Sequence, residues 1–328
     1  MPHGNNVAST YVCPRWLWGA HAQTVWPLLQ TRARVACRRE RVATPDGDFW
    51  HFDWLESPAQ EGAPLLVLFH GLEGNSHSHY AQAMLAAAAR RGWRGVVPHF
   101  RGCSGELNLQ PRAYHMGDHG EVAAMLAAVR ARVPQPTTLC AVGVSLGGSA
   151  LLHWLGRNGK EASAMLAAAA AVSTPVDLEA SGRVFGKGIN RLYEFNFMRT
   201  LKRKALAMAK RHPDKLNLQR IAAARTLDDF DEALTAPLHG FEGVADYRRR
   251  ASPRPWLCKI ETPTLLLNAL NDSLVPAAFL PGVEEASPFL FFERPEKGGH
   301  AGFPTAGDTP WMPQRVLDFF GQHTGVGE

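Results

Sequence analysis

Four short apolar runs separated by helical stretches constrain the fold of this chain more than any other feature. The runs are Pro64 to Phe69, Gly95 to Phe100, Thr138 to Val144 and Thr264 to Asn268. Their apolar residues are continuous rather than alternating, which is typical of strands that helices cover on both faces. Strands of this kind belong to parallel sheets, so the sequence predicts an α/β fold with a mostly parallel central sheet.

Weaker apolar runs and three helical stretches extend the alternation. Met165 to Ser173 and Phe289 to Phe292 are candidates for two further strands. Helix-forming residues fill Tyr80 to Arg91, Asp118 to Val133 and Ser149 to Arg157. Strands and helices therefore alternate along most of the chain, as the α/β class requires.

The alternation breaks between about Pro175 and Pro255, where polar, aromatic and basic residues replace the strand pattern. This segment falls between a sixth and a seventh strand, so we expect it above the carboxyl ends of the sheet, where ligands bind in open α/β folds. We predict three parts: residues 1–174 and 256–328 as the two portions of the core, and residues 175–255 as a helical cap, or lid, inserted between them.

Composition and cysteine content favour a soluble enzyme in a reducing compartment, the cytoplasm. Hydrophobic residues make up 45% and charged residues 20% of the 328 positions, so the chain can bury a large core. The five cysteines are far apart and lack metal-ligand spacing, which argues against disulfides or a zinc site. No signal peptide is predicted, and the longest apolar run, Met165 to Val172, is well short of the ~20 residues of a membrane span.

A glycine-rich turn around Ser145 is the strongest indication of chemistry. The segment Gly143 to Gly148 reads GVSLGG, which contains the pattern G-x-S-x-G, and it stands between a predicted strand and a predicted helix, as a nucleophile elbow requires. The helix N-terminus would favour the negative charge that develops on an attacked carbonyl. The alternative is a glycine-rich turn with an incidental serine, but the strand before it and the helix after it favour a nucleophile.

A serine nucleophile needs a base, and the base needs a third group that orients it. Enzymes with this elbow carry the three in the chain order serine, acid, histidine. Asp272 follows one predicted strand and His300 follows the next, so we predict the catalytic triad Ser145, Asp272 and His300. The alternatives are a turn-capping role for Asp272, a loop histidine at 300, and Asp177 as the acid.

The segment His70 to Gly74 (HGLEG) follows a predicted strand and is the candidate oxyanion loop. Such a loop supplies one backbone N–H and the residue after the nucleophile supplies the other, so we assign the donors to Leu72 and Leu146. A plain glycine-rich turn is the alternative. Arg101 to Glu106 is expected either to line the site or support this loop, or to be a plain turn; a reactive thiol at Cys103 is a minor alternative.

The predicted chemistry needs no cofactor and no metal. His77 and His79 are two positions apart, a spacing that does not place two imidazoles on one helical face, and no carboxylate ligand is evident nearby. Metal binding there is therefore not favoured.

Basic residues crowd the segment from Arg199 to Arg211, whereas Leu201, Ala205 and Met208 recur at helical spacing within it. The pattern predicts an amphipathic helix with its cations on other faces. Such a helix could contact an anionic lipid surface peripherally, bind an acidic substrate group such as that of acyl-CoA, or simply be solvated. Nucleic-acid binding is not predicted, because the charge is confined to one stretch.

Several motifs together resemble the YheT-like branch of the α/β-hydrolases, also called the AB hydrolase 4 family. The segment Ala20 to Thr24 (AHAQT) is similar to the N-terminal Pro-His-x-Gln-Thr motif of that branch, with Ala20 in place of the proline. The other matching segments are His70 to Gly74, Asn75 to Tyr80, Phe100 to Glu106, Tyr114 to Gly117, Gly143 to Gly148, Asn271 to Asp272 and Gly299 to His300.

The resemblance implies an α/β-hydrolase fold and a carboxylic-ester hydrolase acting on short or medium acyl esters, including lipid esters. Some similar proteins instead transfer the acyl group to an alcohol, so an acyltransferase is the alternative. A non-catalytic binding protein of this fold is disfavoured because all three triad residues are present. Ser145 at the elbow excludes a dehalogenase or epoxide hydrolase, which would need an aspartate there.

Overall fold

The apolar runs form the middle of one sheet. A computed structural model describes residues 3–30 and 34–324. Within these ranges the strands are β1 (Asn5–Val7), β2 (Cys37–Ala43), β3 (Phe49–Leu55), β4 (Leu65–Phe69), β5 (Arg94–Pro98), β6 (Leu139–Val144), β7 (Ala168–Val172), β8 (Thr264–Leu267) and β9 (Leu290–Glu293).

The strand order across the sheet is β1-β9-β8-β7-β6-β4-β5-β3-β2. Every neighbouring pair from β1 to β5 in this order is parallel, whereas β3 pairs antiparallel with β5 and β2 antiparallel with β3. The predicted α/β fold with a mostly parallel sheet is therefore confirmed. Because the central strands are parallel, their carboxyl ends lie at one edge of the sheet, and the loops that follow them meet there.

Helices cover both faces of the sheet. The helices are α1 (Ala20–Leu29), α2 (His79–Arg90), α3 (His119–Arg130), α4 (Leu146–Met165), α5 (Leu178–Phe185), α6 (Asn190–Arg211), α7 (Leu218–Ala223), α8 (Leu227–Phe230), α9 (Ala236–Leu238), α10 (Val244–Ala251) and α11 (Trp311–Thr324). A π-helical turn, Asp231–Thr235, and the 3₁₀ turns Arg254–Lys259, Ala277–Phe279 and Val283–Glu285 complete them. None of these helices is long and apolar enough to cross a membrane.

The central strands explain why their apolar runs are continuous. Side chains alternate between the faces of a strand, and in β4 Leu65, Val67 and Phe69 join the core with α3 and α4 while Leu66 and Leu68 join the core with α2 and α11. Both faces of β4 are fully buried. A polar residue anywhere in this strand would face one of the two cores.

Helices α5 to α10, here called the cap helices, lie between β7 and β8. The sequence placed this segment between a sixth and a seventh strand, whereas in the nine-stranded sheet the flanking strands are the seventh and the eighth. The amphipathic helix predicted from Arg199 to Arg211 is confirmed as the second half of α6: Leu201, Ala205 and Met208 are buried in an apolar cluster with residues of α7 and α8.

Candidate active site

Ser145 lies between β6 and α4, at the carboxyl edge of the sheet. Its backbone has a φ of 53°, a left-handed conformation that costs a non-glycine residue energy and is typical of functional turns. A Cβ atom at Gly143 would lie 2.5 Å from the Gly147 carbonyl oxygen, and one at Gly147 would overlap the carbonyl of Phe69. The turn therefore needs glycine at both positions, which explains the motif around the serine.

His300 lies between Ser145 and Asp272. Its Nε2 is 2.9 Å from Ser145 Oγ, and its Nδ1 is 2.8 Å from Asp272 Oδ2. The other carboxylate oxygen, Asp272 Oδ1, accepts the backbone N–H groups of Leu274 at 2.8 Å and Val275 at 3.0 Å. Because a carboxylate can only accept, Nδ1 carries the imidazole proton, and the lone pair of Nε2 faces the serine hydroxyl. The structure thus brings the three residues of the predicted triad together in hydrogen-bonding order.

Asp177, the alternative acid, lies elsewhere. It is the N-cap of α5, where its Oδ1 accepts the N–H of Ala180 at 3.0 Å, and its carboxylate is 3.6 Å from Arg254. It makes no contact with His300. The structure therefore gives Asp177 a capping role.

The candidate oxyanion loop abuts the serine. A Cβ atom placed on Gly71 would lie 3.4 Å from Ser145 Cβ. The Gly71 N–H donates to the Tyr80 hydroxyl at 2.9 Å, whereas the N–H groups of Leu72 and Leu146 donate to no acceptor within residues 3–30 and 34–324. These two N–H groups are the donors predicted from the sequence, and both can donate to an oxygen atom of a ligand.

The buried His70 fixes the beginning of this loop. Burial lowers the pKa of His70 to about 4, so the imidazole is neutral at physiological pH. Its Nε2 accepts the N–H of Phe100 at 3.1 Å, and its Nδ1 lies 2.8 Å from the Gly71 carbonyl oxygen, to which it donates. The histidine therefore links the loop to the end of β5.

Glu73 anchors the other end of the loop to the cap. Its N–H donates to the Tyr114 hydroxyl at 2.8 Å, and that hydroxyl donates to the Glu73 carboxylate at 2.9 Å. Burial raises the pKa of Tyr114 well above its usual value, so the hydroxyl keeps its proton. Lys204 of α6 forms an ion pair with the same carboxylate. Sequence reasoning assigned no role to these three residues, although Glu73 and Tyr114 lie in motifs that carry the family resemblance.

The segment from Arg101 to Glu106 is connected to the candidate oxyanion loop by Lys204, whose Nζ pairs with Glu73, donates to the Gly102 carbonyl at 3.2 Å and lies 3.7 Å from Cys103 Sγ. Among the cations that the pattern places off the apolar face, Lys204 is not on the solvated surface, because its counter-ion Glu73 lies beneath the helix. Burial raises the pKa of the Cys103 thiol to about 11, so the thiol is protonated at neutral pH. A thiol in that state is a poor nucleophile.

A cavity of about 570 Å³ opens beside Ser145 and His300. Its volume is within the range of small-molecule sites. The cap and core both contribute apolar walls: Leu28, Leu72, Met116, Phe185, Tyr193, Phe197 and Leu274. An aromatic stretch of α6, from Tyr193 to Phe197, contributes Tyr193 and Phe197 to this lining, whereas Phe195 points outward and is 72% exposed. Ser145 and His300 lie in the wall of this cavity, so a ligand inside it can reach both.

His77 and His79 also border the cavity, and His79 Nε2 lies 3.1 Å from the Ala301 carbonyl oxygen. Across the described part of the chain, no group of three or more His, Cys, Asp or Glu side chains is arranged to hold a metal ion.

A serine on a strand-to-helix turn, hydrogen-bonded through a histidine that follows β9 to an aspartate that follows β8, is typical of the class of α/β-hydrolase folds. A family model described as the alpha/beta hydrolase fold matches residues 64–306. The chain belongs to this family and, within it, to the YheT-like branch, as the motifs predicted.

Three curated relatives illustrate the family. YheT of Escherichia coli, which bears the provisional name of an esterase, is 36% identical over 315 residues, covering 95% of this chain and 91% of YheT. The human phospholipase ABHD3 is 30% identical over 90% of this chain and 74% of its own length. The medium-chain fatty acid ethyl ester synthase/esterase 2 of Saccharomyces cerevisiae is 27% identical over 90% of this chain and 67% of its own length.

Solved structures are similar in fold. The Pyrococcus furiosus esterase Pf2001 superposes with a TM-score of 0.57 at 14% identity, covering 99% of this chain and 98% of that one. A 2,6-dihydroxy-pseudo-oxynicotine hydrolase gives a TM-score of 0.59 at 15% identity, covering 93% and 72% of the two chains.

Proposed function

We propose that this chain is a serine hydrolase of carboxylic esters that acts through an acyl-enzyme on Ser145. The observation that carries the proposal is the pair of hydrogen bonds, 2.9 Å and 2.8 Å, that connects Ser145 through His300 to Asp272. The names of the relatives, which include an esterase, a phospholipase and an ester synthase/esterase, support an ester as the bond that reacts.

In the first half of the reaction, Ser145 Oγ attacks the ester carbonyl and His300 Nε2 takes the hydroxyl proton. The tetrahedral oxyanion is held by the N–H groups of Leu72 and Leu146. His300 then gives its proton to the departing alcohol, which leaves an acyl ester on Ser145. In the second half, His300 deprotonates a water that attacks this ester, and the carboxylic acid departs as the proton returns to Ser145. Asp272 stabilises the imidazolium in both halves.

The lining of the cavity supports the proposal that the site binds an apolar acyl group of the substrate. Phe185, Tyr193 and Phe197, which come from α5 and α6, form part of its wall, so we propose that the cap helices cover the acyl chain. The volume of about 570 Å³ and the apolar lining fit a short or medium chain. The phospholipase and the medium-chain ester synthase/esterase among the relatives support this substrate class.

Transfer of the acyl group to an alcohol is the second candidate, because the yeast relative is named both a synthase and an esterase. Both outcomes share the acyl-enzyme. Water near about 55 M has a large concentration advantage, so an alcohol competes only if the site holds it in attack geometry beside His300. The lining residues do not form a recognisable alcohol site, and hydrolysis is therefore proposed.

One assay tests the ester chemistry and the acceptor together. Purified protein is given p-nitrophenyl esters from acetate to dodecanoate, with and without millimolar ethanol. Release of p-nitrophenol reports acylation, and the ratio of free acid to ethyl ester reports the acceptor. We expect turnover that is best for short or medium chains, with free acid as the main product. Release no faster than the uncatalysed rate would contradict an esterase, and predominant ethyl ester would replace the hydrolase with a transferase.

We also propose a peripheral contact between an anionic lipid surface and the outer face of α6. Leu192 and Phe195 are 68% and 72% exposed, and Arg199 and Arg203 lie on the exposed surface further along the helix. Glu194 is the one acidic residue of α6, and it is buried, with its carboxylate accepting the N–H of Leu227. Exposed apolar and basic side chains without acids complement a negatively charged membrane.

Vesicle flotation tests this contact. The protein is expected to float with vesicles that contain phosphatidylglycerol and to remain unbound with pure phosphatidylcholine. The double substitution Arg199→Gln/Arg203→Gln should weaken binding by about tenfold or more, since each cation contributes about 1 kcal/mol near such a surface. Phe289→Ser serves as a control, because Phe289 is 41% exposed but precedes β9, at the opposite edge of the sheet from the site. Equal binding of the double variant and wild type would contradict the contact.

A further inference from the structure

Helix α1 contacts both loops that carry the proposed acid and base. We propose that Gln23 and Thr24 are positioning residues: they hold the His300 loop against the Asp272 loop, so that the imidazole stays in reach of Ser145. The inference rests on the proposed function for its catalytic consequence. Gln23 and Thr24 belong to the N-terminal motif that carries the family resemblance, so the proposal gives this pair a physical role.

Thr24 anchors the backbone of the histidine itself. Its Oγ1 accepts the N–H of His300 at 2.9 Å and donates to the Ala20 carbonyl at 2.8 Å. Because the single hydroxyl proton is used within α1, a lone pair of the oxygen is fixed toward His300. Thr24 is only 9% exposed, so few waters can compete for this bond.

Gln23 joins the two loops through one oxygen. Its Oε1 accepts the N–H of Gly298 at 2.9 Å and the side-chain amide of Asn271 at 2.8 Å. Asn271, which precedes the proposed acid, in turn accepts the N–H of Gly299 at 3.1 Å. The Gln23 amide nitrogen donates to the Leu17 carbonyl at 3.0 Å, which fixes the orientation of the amide. The side chain is only 1% exposed, so it acts as a buried connector rather than a surface group.

The His300 loop packs closely against α1. Gly299 has a φ of +63°, and a Cβ atom there would lie 2.7 Å from Thr24 Oγ1 and 2.8 Å from the Ala20 carbonyl oxygen. Any larger residue would therefore push the loop away from the helix. The next residues of the loop include Ala301 and Phe303, both with positive φ values, of 53° and 41°. Backbone in this conformation persists only where its surroundings hold it, and α1 supplies part of that support.

A second role for α1 has to be separated from positioning. Thr24, Pro27 and Leu28 also line the cavity, so a substitution in the helix could weaken substrate binding instead. Loss of binding alone raises KM, whereas a displaced imidazole lowers kcat and the reactivity of Ser145.

Thr24→Val removes the hydroxyl and keeps the shape. We expect kcat for a p-nitrophenyl ester to fall by about 10- to 100-fold, since a small misplacement of a catalytic group has effects of this size. KM should change little, and the rate of fluorophosphonate labelling at Ser145 should fall in parallel. Thr24→Ser should restore both rates. If Thr24→Val folds poorly, Gln23→Met provides the second test. This variant removes the shared acceptor and should cause the same loss of kcat.

Thr264→Val is the matched control. Thr264 is also buried, and its hydroxyl donates to the Thr262 carbonyl at 2.7 Å, but it begins β8, at the edge of the sheet away from Ser145 and His300. This variant should lose a similar amount of stability and keep its activity. A Thr24→Val enzyme with unchanged kcat, or with a change in KM only, would overturn the positioning role.

Hydrogen exchange separates this inference from the proposed function. In Thr24→Val, backbone amides from Gly298 to Phe303 should exchange faster than in wild type, and in Thr264→Val they should not. This readout does not depend on catalysis. Unchanged protection of the loop in Thr24→Val would overturn the inference even if the enzyme is an esterase. Absence of labelling at Ser145 in the wild type would instead overturn the proposed esterase function. In that case the exchange result alone would decide whether α1 holds the loop.

Discussion

Replacing Ser145 by alanine is expected to lower ester turnover by at least ~10³-fold while the chain stays folded. The substitution removes the only oxygen that His300 Nε2 contacts at 2.9 Å among the described residues, so no acyl-enzyme can form. Alanine has the same backbone strain at this φ as serine, so stability should change little. Initial rates with a p-nitrophenyl ester measure the loss, and circular dichroism with the melting temperature verifies the fold.

Ser149→Ala provides the comparison for this variant. Ser149 lies one turn further along α4, is fully buried and donates to the Pro175 carbonyl at 2.5 Å. Its loss should affect stability more than turnover. Near-normal activity in the Ser145 variant would mean that another residue is the nucleophile.

Asp272→Asn is expected to lower turnover by ~10²- to 10⁴-fold. The N–H groups of Leu274 and Val275 both donate to Oδ1, so the amide oxygen of an asparagine takes that place and its NH₂ group faces His300. Nδ1 must then accept, which moves the imidazole proton to Nε2. In this tautomer Nε2 cannot take the proton of Ser145, so the base is lost although its position is kept.

Asp177→Asn is the matched variant for the acid. Asparagine caps helices about as well as aspartate, so α5 should persist and turnover should change by less than about twofold. Steady-state kinetics of the two variants, measured together, decide between the aspartates. An inactive Asp177 variant beside an active Asp272 variant would place the acid after β7.

The centre of the fold could be predicted because burial on both faces leaves a continuous apolar run, as in β4 and β6. The sequence missed β2 and β3 for the converse reason. β2 carries three arginines and a glutamate at the sheet edge, and β3 contains His51 and Asp53, both buried. Asp53 is tolerated there because Arg39 of β2 forms an ion pair with it at 2.7 Å. This ion pair could not be predicted from the sequence, because Arg39 and Asp53 come together only when β2 and β3 pair in the sheet.

The proximity of Ser145, Asp272 and His300 could be predicted from local patterns, since each residue follows a strand and parallel strands end at one edge. The groups around the triad could not. Thr24 and His300 are 276 positions apart, and Lys204 and Glu73 are 131 apart. No periodicity in the sequence links such pairs. An exposed lysine and an inward-facing one look alike in a helical pattern, and only the counter-ion beneath α6 distinguishes Lys204.

Covalent labelling tests the central claim most directly. A fluorophosphonate probe reacts with a serine only when a base activates that hydroxyl and an oxyanion site stabilises the adduct. After incubation with the native protein, peptide mass spectrometry should locate one adduct on Ser145, and both Ser145→Ala and unfolded protein should remain unlabelled. An adduct on a different residue, or no adduct on the native protein, would contradict the account.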